Sequence, residues 1–132
     1  MVLVAAGRSA TAPPGGPFLP RQLWRIDGAL AAADHETGLT FSIYVGDLEE
    51  PTRTSAERLH AQLGEHADSG VLLAVSPNQR VLEIVTGSEA RRTLPDRIAA
   101  LASLSMTAAF EGGDLAGGLV AGLRMLADQA RR

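Results

Sequence analysis

The chain contains no cysteine. That removes disulfides, thiolate catalysis and cysteine-ligated zinc at once. It contains no lysine either, since all 12 basic side chains are arginine. A Schiff-base amine and a phosphate-loop lysine are therefore excluded. Aromatic residues make up only 4% of the sequence. The core must be assembled from Ala, Val, Leu and Ile, small side chains that bury less area each and have to pack closely. The net charge of −3 supplies neither the basic face that nucleic acid needs nor a polybasic run for an anionic membrane. No apolar run approaches the roughly 20 residues of a membrane span. The opening Met1-Val2-Leu3-Val4-Ala5-Ala6 lacks a basic n-region and is too short for a signal peptide. A cytoplasmic protein is expected, with no nucleic-acid partner and no membrane span.

What is present fits one domain: 132 residues, enough to remove about two-thirds of the unfolded chain's surface from water. Residues 7–20 read GRSATAPPGGPFLP, in which Pro13, Pro14, Pro17 and Pro20 each turn the preceding residue away from helix. Residues 1–20 are expected to form a flexible Gly/Pro-rich leader and residues 21–132 a single α/β domain. From Arg21 to Thr37, Leu23, Ile26, Leu30 and Ala33 recur at helical spacing, and Gly38 supplies the C-terminal cap. Leu39, Phe41, Ile43 and Val45 then alternate with Thr40, Ser42 and Tyr44, which predicts a strand. Thr54-Ser55-Ala56-Glu57 matches a capping box opening a helix that buries Ala56, Leu59 and Leu63.

Val71-Leu72-Leu73-Ala74-Val75 is an unbroken apolar run, as expected of a strand covered on both faces. Four turn residues, Ser76 to Gln79, separate it from a strand over 80–86, which predicts an antiparallel hairpin. The first two strands, joined through a helix, are expected to be parallel. Pro95 opens a further helix carrying Ile98, Leu101, Ala102 and Ala109 inward, and Asp114 caps the last, with Leu115, Leu119, Leu123 and Leu126 on one side. The order α-β-α-β-β-α-α predicts an α/β fold, a small mixed sheet with helices packed on its faces.

Chemistry-bearing residues are sparse. Gly112-Gly113-Asp114-Leu115-Ala116-Gly117-Gly118 opens a helix, but Asp114 stands where an anion would sit, so a turn and close helix packing through Gly117, Gly118 and Gly122 are the expected roles. His35, His60 and His66 lack the four-residue spacing of a helical zinc motif. Ser42 and Ser76 lack a nucleophile-elbow context. Acidic residues gather in two places. Asp47, Glu49 and Glu50 lie beyond the carboxyl end of the first strand, where open α/β sheets place ligands. Asp68, Glu89 and Asp96 fall at one sheet edge and are the candidate oxygen ligands for Ca²⁺ or Mg²⁺, although loop acids of this kind are ordinarily solvated.

The middle of the chain resembles the TPM domain, and more closely a group of short actinobacterial TPM-like proteins without assigned function. The resemblance rests on Phe41-Ser42-Ile43-Tyr44-Val45-Gly46-Asp47-Leu48, on Asp68 to Arg80 with Arg80 to Gly87 following, and on Phe110-Glu111-Gly112-Gly113-Asp114-Leu115, together spanning about residues 22 to 130. It implies an α/β sandwich with a small central sheet. It also implies one of three roles found among such domains: divalent-metal binding, phosphatase-like activity, or accessory work beside other proteins. Asp68, Leu94 and Asp96 match the TPM pattern. The turn Gly87-Ser88-Glu89 is spaced too far from Leu94, and Arg91 stands where a Glu is expected, a charge reversal that works against a cation. A non-catalytic binding or accessory module with a protein partner, monomeric or homodimeric, is the expectation. The alternative is a divalent-metal-dependent phosphatase-like hydrolase.

Overall fold

A computed structural model describes the backbone of residues 2–5 and the whole of residues 18–131. The elements run β1 (Val2–Ala5), α1 (Pro20–Thr37), β2 (Thr40–Val45), α2 (Thr52–Ala61), β3 (Gly70–Ser76), β4 (Val81–Thr86), α3 (Asp96–Glu111) and α4 (Leu115–Ala130). Short 3-10 turns, Gly64–His66 and Ala90–Arg92, precede β3 and α3. The strands lie in the order β1-β2-β3-β4. Strand β2 pairs parallel with β3 from Thr40 opposite Gly70 to Val45 opposite Val75. Strand β4 returns antiparallel, with Val71 opposite Thr86 and Ser76 opposite Val81.

Helices cover the two faces unequally. Phe41, Ile43, Val45, Val71, Leu73, Val75 and Ile84 face the larger core, which α1, α3 and α4 complete with Ile26, Leu30, Met106, Leu119, Leu123 and Leu126. On the other face Tyr44, Leu72, Ala74 and Val85 pack with Leu48 and Ala56 of the α2 region. A strand buried on both faces needs apolar residues at consecutive positions, and every residue of β3 is buried. Helix α4 lies between α1 and α3, so its inward stripe carries much of the burial. Two glycines let α3 approach: a side chain at Gly118 would strike Ala109 and Phe110, and one at Gly122 would strike Met106.

Several sequence expectations need correction. Val2–Ala5 do not belong to the leader. They form β1, antiparallel to β2 with Val2 opposite Val45. Phe18 is buried in the main core and the helix begins at Pro20, so the domain starts before Arg21. Residues 1 and 6–17 of the expected leader lie outside the described residues. The Thr54–Glu57 capping box is not formed. Helix α2 starts at Thr52 behind Pro51, whose fixed φ suits the N-cap, and the Thr52 hydroxyl donates to Glu83 (2.9 Å) instead. Leu101 does not face the core. It is 52% exposed, because α3 turns its Ala102–Met106 stripe inward.

The joint between α1 and β2 holds a half-buried acid, Asp34. Gly38 caps α1 in the left-handed conformation (φ 77°), its N–H donating to the Asp34 carbonyl. The reversed chain then brings the Phe41 N–H to Asp34 Oδ1 at 2.8 Å. Burial raises the Asp34 carboxyl from 3.8 to about 6, opposed by that hydrogen bond. Between those two values the folded chain keeps a proton that the unfolded chain has released, so stability falls as pH rises through the window. Asp34→Asn, which keeps the acceptor and loses the charge, should flatten that slope. It should also stabilise the protein at neutral pH by about 1 kcal/mol after allowance for solvent screening. Urea denaturation of both proteins at pH values spanning the window checks this; a steeper slope in the variant would refute it.

Candidate functional site

Because β2 and β3 are parallel, their carboxyl ends emerge at the same end of the sheet. The chain leaving β2 passes Gly46, Asp47 and Leu48, and the chain leaving β3 makes the turn 77–80. One carboxamide joins the two. Gln79 Oε1 accepts from the Leu48 N–H (2.8 Å) and from the Ser76 hydroxyl (2.6 Å), while Gln79 Nε2 donates to the Leu48 carbonyl (2.9 Å). Asn78 Nδ2 adds a bond to Asp47 Oδ1 (3.1 Å), and the Tyr44 hydroxyl donates to the Asp47 carbonyl (2.9 Å). A buried loop has to place its polar groups on partners, and here two loops satisfy each other through side chains 31 residues apart.

The α3–α4 turn meets the same end. A hollow of about 390 Å³ opens there, lined by Val75, Ser76, Arg80, Leu82, Phe110 and Leu115 among others. Its walls join apolar side chains, Val75, Leu82, Phe110 and Leu115, to the polar Ser76, Arg80, Thr107 and Glu111. Arg80 and Glu111 stand at it without a charged partner among the described residues. Arg80 is held at φ 55°, a conformation that ordinary side chains avoid. Asp114 caps α4 by accepting the Gly117 N–H at 3.0 Å, so the Gly-rich stretch serves the turn and the helix packing. The segments 76–80 and 110–115, far apart in sequence, thus meet at this hollow, while 41–48 braces the 76–80 turn through Gln79 and Asn78.

The candidate ligands Asp68, Glu89 and Asp96 lie at the opposite end of β3. The Asp68 carbonyl accepts from the Glu89 N–H (2.9 Å) and the Ala90 N–H (3.1 Å), and its carboxylate accepts from the Ser88 hydroxyl (3.3 Å). Gly87 permits this clasp, since a side chain there would collide with the Ala67 and Asp68 carbonyls. Asp68 and Glu89 are therefore neighbours, whereas Asp96 begins α3 beyond Pro95. Among the described residues no three His, Asp or Glu side chains are grouped to hold a metal ion, and this set does not fit Ca²⁺ or Mg²⁺ as a three-carboxylate site. Arg91 lies against the sheet edge, its guanidinium donating to the Thr86 carbonyl (3.2 and 3.3 Å).

Other candidates take structural places. Ser42 is fully buried and its hydroxyl has no hydrogen-bond partner among the described residues. His60 is more than a surface residue: its Nε2 donates to the Gly70 carbonyl (3.1 Å) and pins the start of β3 to α2. His66 sits beside Glu65. Of the acids beyond β2, Asp47 is drawn into the loop contacts and Glu49 gives its carbonyl to the Ser55 hydroxyl (2.7 Å), while Glu50 is exposed. A second hollow, about 460 Å³, runs between α1 and α4 over Gly28, Ala32 and Ala127, with Arg25 and Arg124 along it and Arg131 held by Asp128 and Glu36. The role of Gln79 was not visible in the sequence, because the loop residue it holds, Leu48, is 31 residues away.

The chain's single tyrosine reports on this end of the molecule. Burial, and secondarily the charge of Asp47, push the Tyr44 phenol above its ordinary value of 10.0. The tyrosinate ultraviolet absorbance should therefore titrate with a midpoint above 10.0 in the folded protein. Asp47→Asn should lower the midpoint without restoring the ordinary value, because burial is the larger cause. A wild-type midpoint at the ordinary value would show the loop to be open.

Comparison with known proteins finds relatives of this chain. Uncharacterised proteins from two strains of Mycobacterium tuberculosis, CDC 1551 / Oshkosh and ATCC 25618 / H37Rv, are each 36% identical over 131 residues, covering 95% of this chain and 78% of theirs. The solution NMR structure of the N-terminal domain of a protein from P. gingivalis superimposes with TM-score 0.74 at 23% identity, over 86% of this chain and 76% of that one. The NMR structure of BA42 from the psychrophilic Bizionia argentinensis gives TM-score 0.76 at 16% identity, over 86% and 81% of the two chains. At such identities the likeness establishes the fold alone. A family model matches residues 3–127, from β1 through most of α4, and the chain belongs to that family, described as Domain of unknown function (DUF5130).

Proposed function

We propose that this chain is a non-catalytic binding or accessory module of the TPM-like type, with the hollow at the carboxyl end of β3 as its ligand site. The observation that carries the reading is the meeting of segments 75–82 and 107–115 at that hollow, with the 77–80 turn held in place by the Gln79–Leu48 bonds. Open α/β sheets bind ligands outside the carboxyl ends of their strands. Apolar walls with a few polar groups are the usual make-up of a binding pocket. In this reading the module works in the cytoplasm, as a monomer or homodimer, and its ligand belongs to a protein partner. Ser76, the one hydroxyl beside the hollow that is fully buried, is already committed to Gln79, and no histidine stands near it to act as base.

The alternative reading is a divalent-metal-dependent phosphatase-like hydrolase at Asp68 and Glu89. It is favoured by the backbone bonds that join those two segments. The two readings separate in one experiment. Purified protein is incubated with p-nitrophenyl phosphate and Mg²⁺, Mn²⁺ or Ca²⁺, beside the Asp68→Asn variant. The binding-module reading expects wild type and variant to hydrolyse no faster than the metal-containing buffer. Metal-dependent turnover that disappears in Asp68→Asn would establish the hydrolase instead.

A further inference from the structure

Strand β4 is an edge of the sheet. An edge offers outward N–H and C=O groups to another extended chain. Which residues offer them follows from the pairing. In an antiparallel ladder, residues that bond across alternate with residues whose backbone groups point away. The Gly87 N–H bonds to the Gly70 carbonyl, so residues 85, 83 and 81 continue the bonded set. The outward set is then Leu82, Ile84 and Thr86, opposite Val75, Leu73 and Val71. Two of these are already closed. Arg53 Nη1 donates to the Ile84 carbonyl at 2.8 Å, and Arg91 donates to the Thr86 carbonyl. Leu82, which lines the hollow, has no such side-chain cap.

We infer that the hollow captures the carboxyl terminus of a partner protein, with an apolar last residue. This rests on the reading of the hollow as a ligand site and names what enters it. A chain running antiparallel to β4 beside Leu82 has its end directed toward Arg80. Its last residue exchanges two hydrogen bonds with Leu82: the peptide N–H donates to the Leu82 carbonyl, and the Leu82 N–H donates to the terminal carboxylate. The second carboxylate oxygen is then on the side of Arg80, whose guanidinium has no charged partner among the described residues and supplies the complementary charge, with Glu111 elsewhere on the lining. Residues directly opposite in a ladder share a sheet face, and the Leu82 side chain packs on the main core. The peptide's last side chain is thereby directed toward Phe110 and Leu115, the apolar part of the hollow. Two residues further back the peptide meets Ile84, whose carbonyl Arg53 already occupies. Recognition accordingly reads the final residue and its neighbour and does not extend into a long added strand.

The test uses the intact chain, isotope-labelled for amide NMR, and three probes: acetyl-Ala-Ala-Leu with a free carboxylate, the same peptide as its C-terminal amide, and indole as an uncharged apolar ligand. The free acid should give saturable shifts at Arg80, Leu82, Phe110 and Leu115. The amide should bind about tenfold or more weakly, the usual scale for losing a charge-assisted hydrogen bond. Arg80→Gly should weaken the free acid by a similar factor while the fold persists, since glycine adopts the conformation at φ 55° without strain. Equal binding of acid and amide, or an unchanged affinity in Arg80→Gly, would overturn the inference. So would shifts confined to another face. If indole shifts Phe110 and Leu115 but the peptides move nothing, the hollow remains a ligand site and the carboxyl-terminus reading fails. If no probe reaches it, both readings fail together.

Discussion

Two parallel strands side by side impose the constraint on which the rest of this structure depends. The β2–β3 pair cannot be closed by a tight turn, so the chain must cross over, and α2 is the crossover. Once α2 lies on one face, the other face needs cover as well, because β3 is apolar nearly throughout and β2 presents Phe41, Ile43 and Val45 there. The carboxyl-terminal helix pair provides it. The resulting main core lacks large aromatic volume and relies on backbone proximity, with α3 and α4 brought together at Gly118 and Gly122. A chain so poor in aromatic residues could hardly fill a wider gap.

The same constraint makes the two ends of the sheet unlike. At the carboxyl ends, two loops emerge in the same direction and have to satisfy their polar groups on each other. Gln79 does so with both ends of one carboxamide. The space left over, between the hairpin turn and the α3–α4 turn, is the hollow. At the amino ends the chain is clasped by main-chain bonds from Glu89 and Ala90 to Asp68, with Gly87 pressed against the backbone. That end is close-packed and its acids point outward without gathering. Asp68 and Glu89 became neighbours through the hairpin, and Asp96 was separated from them by the turn at Ala90–Arg92 and by Pro95.

Local rules made much of this legible. The alternation over 39–45, the apolar run at 71–75, the short link before β4, Gly38 and Asp114 each state their structure within a few residues, and each is found as expected. The features that escaped depend on partners far along the chain. Val2–Ala5 is four residues long and becomes a strand only because β2 offers an edge. Thr54 and Glu57 have the spacing of a cap, yet Thr52 found Glu83 and Arg53 found both Glu57 and Glu83, so the helix began earlier. Leu101 fits a helical stripe as well as Met106 does; which stripe turns inward was decided by Gly122, whose missing side chain makes room for Met106. The polar side chain that organises the candidate site, Gln79, sits in a turn where local rules expect only solvent.

The arginines along β4 bear on how the molecule behaves in a crowd. Exposed strand edges are where folded proteins begin to stack into fibres, and here Arg53 and Arg91 occupy the carbonyls that a second copy would need. A guanidinium keeps its charge at every pH a cell reaches. Nor can it be neutralised by lysine acetylation, and the chain contains no lysine anywhere. The cover at the Ile84 and Thr86 carbonyls is therefore constant: neither a change in acidity nor the commonest charge-erasing modification of basic side chains can lift it there.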